Sequence, residues 1–230
     1  MGILLNALSI SAGTLIGDKF KKRMVFKNFT ILGISIMIIS MVGFFENIFN
    51  IKNMSLKSSD LLVVVFSLVI GTVIGDLLGL ENRINNLSGK FESDFSSVID
   101  ATVFFGVGGM QICGPILLAN SGDGSQLALK SIIDFPFALM FGMSYGKKAA
   151  LSSIPVALGQ IIVVVLAVLS GKFLDTGFIK QICAVGYIIL FFSGFNLVCE
   201  KKNKINNVNM LASILLILLY NAIIKLWGCI

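Results

Sequence analysis

No histidine occurs anywhere in the 230 residues. That excludes Ser-His-Asp and Cys-His catalysis, together with the usual histidine-ligated metal sites. Cysteine is sparse: Cys113, Cys183, Cys199 and Cys229 stand far apart with no CxxC, so neither a disulfide framework nor a zinc knuckle is indicated. Charge is also scarce, at 13% of residues, where a soluble domain carries about a quarter. Aspartates paired in the manner of a protease dyad are missing too. Gly142-Met143-Ser144-Tyr145-Gly146 matches the G-x-S-x-G nucleophile elbow, but that motif needs a preceding strand and a histidine partner; a helix-packing surface is the better reading. Neither an enzyme, a cofactor nor a bound metal is expected.

The N-terminus lacks what would mark it for removal. No positive charge precedes the apolar run from Gly2 to Ile16, and no A-x-A-like cleavage site follows it. Position 6 is Asn6, where myristoylation prefers serine or threonine. The run is read as a first transmembrane helix retained in the protein.

What the chain does have is hydrocarbon. Hydrophobic residues make up 56%, and the mean hydropathy is +0.95. Several apolar runs approach the length that crosses a bilayer. The expected fold is all-α: a polytopic membrane helix bundle forming a single transmembrane domain over residues 1–230. Eight segments can be drawn, Gly2–Gly17, Phe29–Phe45, Leu61–Leu80, Ser96–Ala119, Leu127–Gly146, Ala149–Ser170, Phe178–Val198 and Val208–Gly228. The fifth and sixth are joined only by Lys147-Lys148, so seven spans is the alternative. With eight, one side holds Lys19, Lys21, Lys22, Arg23, Lys27, Arg83, Lys90, Lys147, Lys148, Lys201, Lys202 and Lys204, which is 12 of the 18 basic residues. That side is then cytoplasmic, the localisation is the cell (inner) membrane, and the net charge of +6 marks loops and not a nucleic-acid partner.

Gly13-Thr14-Leu15-Ile16-Gly17-Asp18 recurs as Gly71-Thr72-Val73-Ile74-Gly75-Asp76. The repeat suggests a stack of two-helix hairpins, each with a small-xxx-small surface that lets backbones approach closely. Asp18 and Asp76 are candidates for a cytoplasmic gate, or simply interfacial carboxylates beside basic loops. The connection Glu81–Asp94 has apolar residues at helical spacing and suits an interfacial amphipathic helix.

The middle of the chain is where polarity enters the apolar segments. Gly106, Gly108 and Gly109 would let the fourth helix break, freeing backbone groups that need partners; alternatively these glycines, with Gly114 and Pro115, serve tight packing and a kink. By helical rise, Gln111 lies ~12 Å below Ala119, and Asp134 ~10 Å below Leu127 with Lys130 one turn above it. Gln111, Lys130 and Asp134 can thus meet in the outer half of the membrane. Gln160 sits near the midplane and Asn6 in the outer part of the first helix. Asp134 is the candidate coupling group; Lys130 pairs with it or snorkels to the surface; Gln111 and Gln160 supply hydrogen bonds.

Asn6…Gly13-Thr14…Gly17, Gly108-Gly109-Met110, Lys130-Ser131-Ile132-Ile133-Asp134, Ser152…Pro155…Gln160 and Asn209 together resemble the YqgA-like family, prokaryotic integral membrane proteins of unknown function. The resemblance covers nearly the whole chain, and the Lys-Ser-x-x-Asp segment is its most specific part. No proline follows Asn209, where the family pattern has one shortly after. What the resemblance implies is fold and membrane localisation, with little chemistry. Two functions are expected: a small transporter or channel for an ion or small polar solute, with membrane lipids around it and a homodimer as a way to complete the pathway; or a non-transporting scaffold that binds a partner or lipid.

Overall fold

The computed structural model describes residues 1–20, 29–50, 55–56, 58–90, 93–106, 109–170, 176–199 and 205–228. The helices are α1 (Gly2–Phe20), α2 (Phe29–Ile48), α3 (Ser58–Leu78), α4 (Leu80–Lys90), α5 (Ser93–Gly106), α6 (Gly109–Ser121), α7 (Ser125–Tyr145), α8 (Ser153–Ser170), α9 (Thr176–Val198) and α10 (Ala212–Gly228). Turns of 3₁₀ helix, Lys147–Ser152 and Asn209–Leu211, lead into α8 and α10. Among the described residues the departure from an all-helical chain is a two-residue ladder, with Phe49 opposite Leu56.

Five helices are long and apolar enough to cross a membrane, and the pair α5/α6 makes a sixth when taken as one span bent by 60°. Their outward faces are apolar. In α3, Leu62, Phe66, Val69 and Val73 are exposed, and in α8, Leu158, Ile162, Val165 and Leu169 are. The inward stripe of α1 is instead mostly small or polar: Asn6, Gly13, Thr14 and Gly17, with Ile10 among them, at the i, i+4, i+7 recurrence of one helix face. In lipid this inversion is sound, because hydrocarbon solvates leucine as well as a protein interior does, and association depends on close backbone approach and hydrogen bonds.

The contacts fall into two compact units, where the sequence had offered no domain boundary: Met1–Phe29 with Ile84–Gly171, and Thr30–Arg83 with Lys172–Ile230. In the first, α1 runs parallel to α7. Gly2 lies against Leu127, Gly13 against Phe135 and Ala138, and Gly17 against Leu139. Phe104 links the end of α5 to α7, with ring centroids 4.9 Å from Phe137 and 5.2 Å from Phe141. In the second unit α2 runs antiparallel to α9, Gly33 meeting Gly194 and Gly43 meeting Tyr187. There α3 runs antiparallel to the last helix, Gly71 meeting Ser213 and Gly75 meeting Asn209.

This pairing does not show the expected stack of hairpins. The two copies of the glycine repeat do serve close packing, but each against a helix far away in sequence. The sequence neighbours α1 and α2 fall in different units. The repeat therefore records a shared packing device. Gly142 of the G-x-S-x-G match is likewise buried in a helix against the Thr14 backbone, while Ser144 is exposed.

Candidate functional site

The first unit carries a buried polar chain drawn from α1, α6, α7 and α8. Gln111 Nε2 donates to the Val156 carbonyl at 2.8 Å. Gln160 Nε2 donates to Gln111 Oε1 and to Asn6 Oδ1, both at 3.0 Å. Asn6 Nδ2 donates to Asp134 Oδ2 at 2.8 Å. Lys130 Nζ lies 2.8 Å from the same oxygen and donates to the Phe105 carbonyl at 3.0 Å. All five side chains are buried, Asn6 and Gln160 completely.

The polarity of this chain is fixed at its ends. A backbone carbonyl can only accept, so Gln111 must present its NH2 to Val156 and its oxygen to Gln160. At the other end the Asp134 carboxylate accepts, so Asn6 turns its NH2 there and its oxygen to Gln160. Both Gln160 amide hydrogens are thereby committed, and Gln160 Oε1 is left buried without a partner. An orphaned buried acceptor costs roughly 1–3 kcal/mol, so this atom is where a hydrogen-bond donor would be most welcome.

The Phe105 carbonyl is available because α5 ends at Gly106, and the last carbonyls of a helix have no intrahelical donor. Lys130 fills that role, placing its positive charge at the negative end of α5. It is only 4% exposed, so the snorkelling alternative does not apply. Gly106 has open space where a Cβ would stand, so close packing is not its reason for being glycine. Gly109 opens α6 and is buried; Gly108 lies outside the described residues.

Five expected residues, Asn6, Gln111, Lys130, Asp134 and Gln160, thus join in one chain, although Gln111 reaches Asp134 only through Gln160 and Asn6. Reasoning from sequence missed the backbone partners, Phe105 and Val156, as well as Gly159, where a Cβ would crowd Gln111 Nε2 at 3.3 Å. It also missed Ser9, whose hydroxyl donates to the Ser131 carbonyl at 2.5 Å; its spacing of three from Asn6 was the available signal. Beside the chain, Leu5, Leu8, Ile132 and Phe135 line a shallow apolar groove of about 520 Å³.

Asp18 and Asp76 belong to different units. Asp76 accepts from Asn209 Nδ2, and Asn209 Oδ1 accepts from the Glu81 backbone N–H at 3.0 Å. Asn209 thereby ties the end of α3 to the first turn of α4 across Gly79, whose φ of +61° makes the turn. The Glu81 carboxyl is held above its ordinary value, chiefly by burial and then by the Asp76 carboxylate. Asn209→Ala should lower the thermal unfolding midpoint by an amount corresponding to about 1–3 kcal/mol. Asn209→Asp should do worse, since it adds a third carboxylate beside Asp76 and Glu81; equal midpoints for the two variants would remove the charge argument. A second polar chain in this unit was not foreseen: Asn221 Nδ2 donates to Gln181 Oε1, and Gln181 Nε2 to Asp60 Oδ1, each at 3.0 Å.

Comparison with known proteins agrees with this membrane architecture. The chain is 26% identical over 220 residues to the "Uncharacterized membrane protein YdfK" of Bacillus subtilis (strain 168), covering 94% of this chain and 93% of that one. It is 27% identical over 184 residues to the "Uncharacterized protein YqgA" of Escherichia coli (strain K12), covering 74% and 77%. No solved structure matches. The family described as "Protein of unknown function (DUF554)" matches residues 1–222, nearly the whole length, and the chain, a membrane protein by its helices, belongs to that family.

Proposed function

We propose that the protein is a small inner-membrane transporter or channel for an ion or small polar solute, with its pathway at the break between α5 and α6. The observation that carries this reading is a helix end placed inside an apolar segment, capped by Lys130, beside a chain of amides with one acceptor open. Broken helices that offer backbone carbonyls to cargo are a recurrent device of secondary transporters. The chain is buried on all sides, which suits an occluded state.

Eight crossings fit this reading. To the six apolar spans are added α1, with 19 residues, and the shorter apolar helix Asn209–Ile224. Helix directions support the count. If all eight cross, the first and fifth run the same way, while the second and seventh, and the third and eighth, run oppositely. The packing of α1 on α7, α2 on α9 and α3 on α10 has those senses. Removing one crossing between α3 and α9 would reverse the last two. A homodimer belongs to this reading as the means of completing a pathway that so few helices enclose poorly.

The test is flux into proteoliposomes across a panel of ions and small polar solutes. Asp134→Asn should abolish any pH-dependent flux, and unchanged flux would strip Asp134 of its role. The competing reading is a non-transporting scaffold, favoured by the near-complete internal pairing of Lys130 and Asp134. It expects no flux and a partner that co-purifies with Asp134→Asn and Gln111→Ala as well as with the unaltered chain.

A further inference from the structure

We infer that Lys130 is a tethered substitute for a coupling cation, so that any solute movement through this site needs neither sodium nor potassium. The functional half of the statement rests on the transport reading above; the binding half does not. A carboxylate oxygen facing the C-terminal carbonyls of a broken membrane helix is the chemistry with which transporters coordinate a monovalent cation. Here that point lies 2.8 Å from Asp134 Oδ2 and 3.0 Å from the Phe105 carbonyl oxygen. It is occupied by the ammonium of Lys130.

The occupancy is specific. A lysine five residues past the start of α7 has a stem long enough to carry its charge back to the membrane surface, which is the easier course for an ammonium in an apolar segment. This one turns inward and is buried. It supplies the positive charge that both oxygens require, and Asn6 Nδ2 completes the same carboxylate oxygen. A free cation entering this point would meet a fixed like charge and two oxygens already engaged. The α5 end, the carboxylate and the lysine are thus electrically complete.

Removing the side chain beyond Cβ leaves a space shaped for three carbons and an ammonium, which is propylammonium. The experiment uses the purified full chain in detergent, with thermal unfolding as the readout. The unaltered protein should melt at the same temperature in sodium, potassium and choline chloride at equal ionic strength. Lys130→Ala should melt at least about 5 °C lower. It should recover progressively with propylammonium chloride, as a ligand of the folded state does, and not with choline chloride.

Failure of propylammonium to raise the midpoint of Lys130→Ala overturns the inference. So does stabilisation of the unaltered protein by sodium or potassium over choline, and that second arm stands even where Lys130→Ala does not fold. Flux that runs in sodium and stops in choline would overturn it while leaving the transport reading intact. Absence of flux in either salt would remove transport, and the melting arms would still decide whether Lys130 fills a cation position.

Discussion

Valine at Gly142 is expected to yield no folded protein, and alanine there a chain destabilised by more than about 1–3 kcal/mol, the usual range for overpacking. The reason is that the obstacle is backbone. A Cβ on Gly142 would run into the Thr14 carbonyl, with the Thr14 carbonyl carbon at 2.8 Å and its Cα at 2.9 Å. A Cβ on Gly17 would meet the Leu139 carbonyl in the same way. Neither contact can be relieved by rotating a side chain; α1 and α7 would have to separate. Their separation would pull Asn6 from Asp134 and so open the buried chain. Gly106→Ala is the control: nothing stands within 4 Å of its Cβ position, so the folded yield should survive. Size-exclusion profiles and melting of the three variants check this. Equal tolerance at Gly142 and Gly106 would mean that the parallel pair is not what holds this unit together.

The glycine repeat was legible in the sequence as a packing surface, because Gly-x-x-x-Gly in an apolar helix has few other uses. What it packs against was not legible. Gly13 and Gly17 seek α7, and Gly75 seeks Asn209, because close approach needs another small or backbone-exposing surface and not the next helix in the chain. The break between α5 and α6 could be foreseen from Gly106 and Gly109, since that segment also carries Gln111. The pairing of Lys130 with Asp134 followed from their spacing of four. Harder to foresee was the route by which Gln111 joins them. Depth arithmetic places groups along the membrane normal and says nothing of azimuth, so Asn6 and Gln160 could be assigned depths but not a position between Gln111 and Asp134. The carbonyls of Phe105 and Val156 carry no residue-type signal at all. Only the end of α5, once placed, frees the Phe105 carbonyl, while Val156 offers Gln111 the second lone pair of a carbonyl near the start of α8.

Charge removal at Lys130 and Asp134 should be far more damaging one residue at a time than together. Lys130→Met leaves the Asp134 carboxylate buried with Asn6 alone, and Asp134→Asn leaves the Lys130 ammonium buried with only neutral oxygens around it. Breaking a buried pair from either side costs about 3–5 kcal/mol. In the double variant no net charge is stranded, and Asn at position 134 still offers an oxygen to Asn6 Nδ2. Its unfolding free energy should lie within about 1–2 kcal/mol of the unaltered protein, giving a coupling of several kcal/mol in the double-mutant cycle. This folded, uncharged variant then separates the two functional readings, which Asp134→Asn alone would not do if it misfolds. If the pair serves transport, the double variant is stable and carries no flux. If the pair is only a brace between α5 and α7, the double variant keeps every activity and partner of the unaltered chain, because a brace needs shape and hydrogen bonds but no charge.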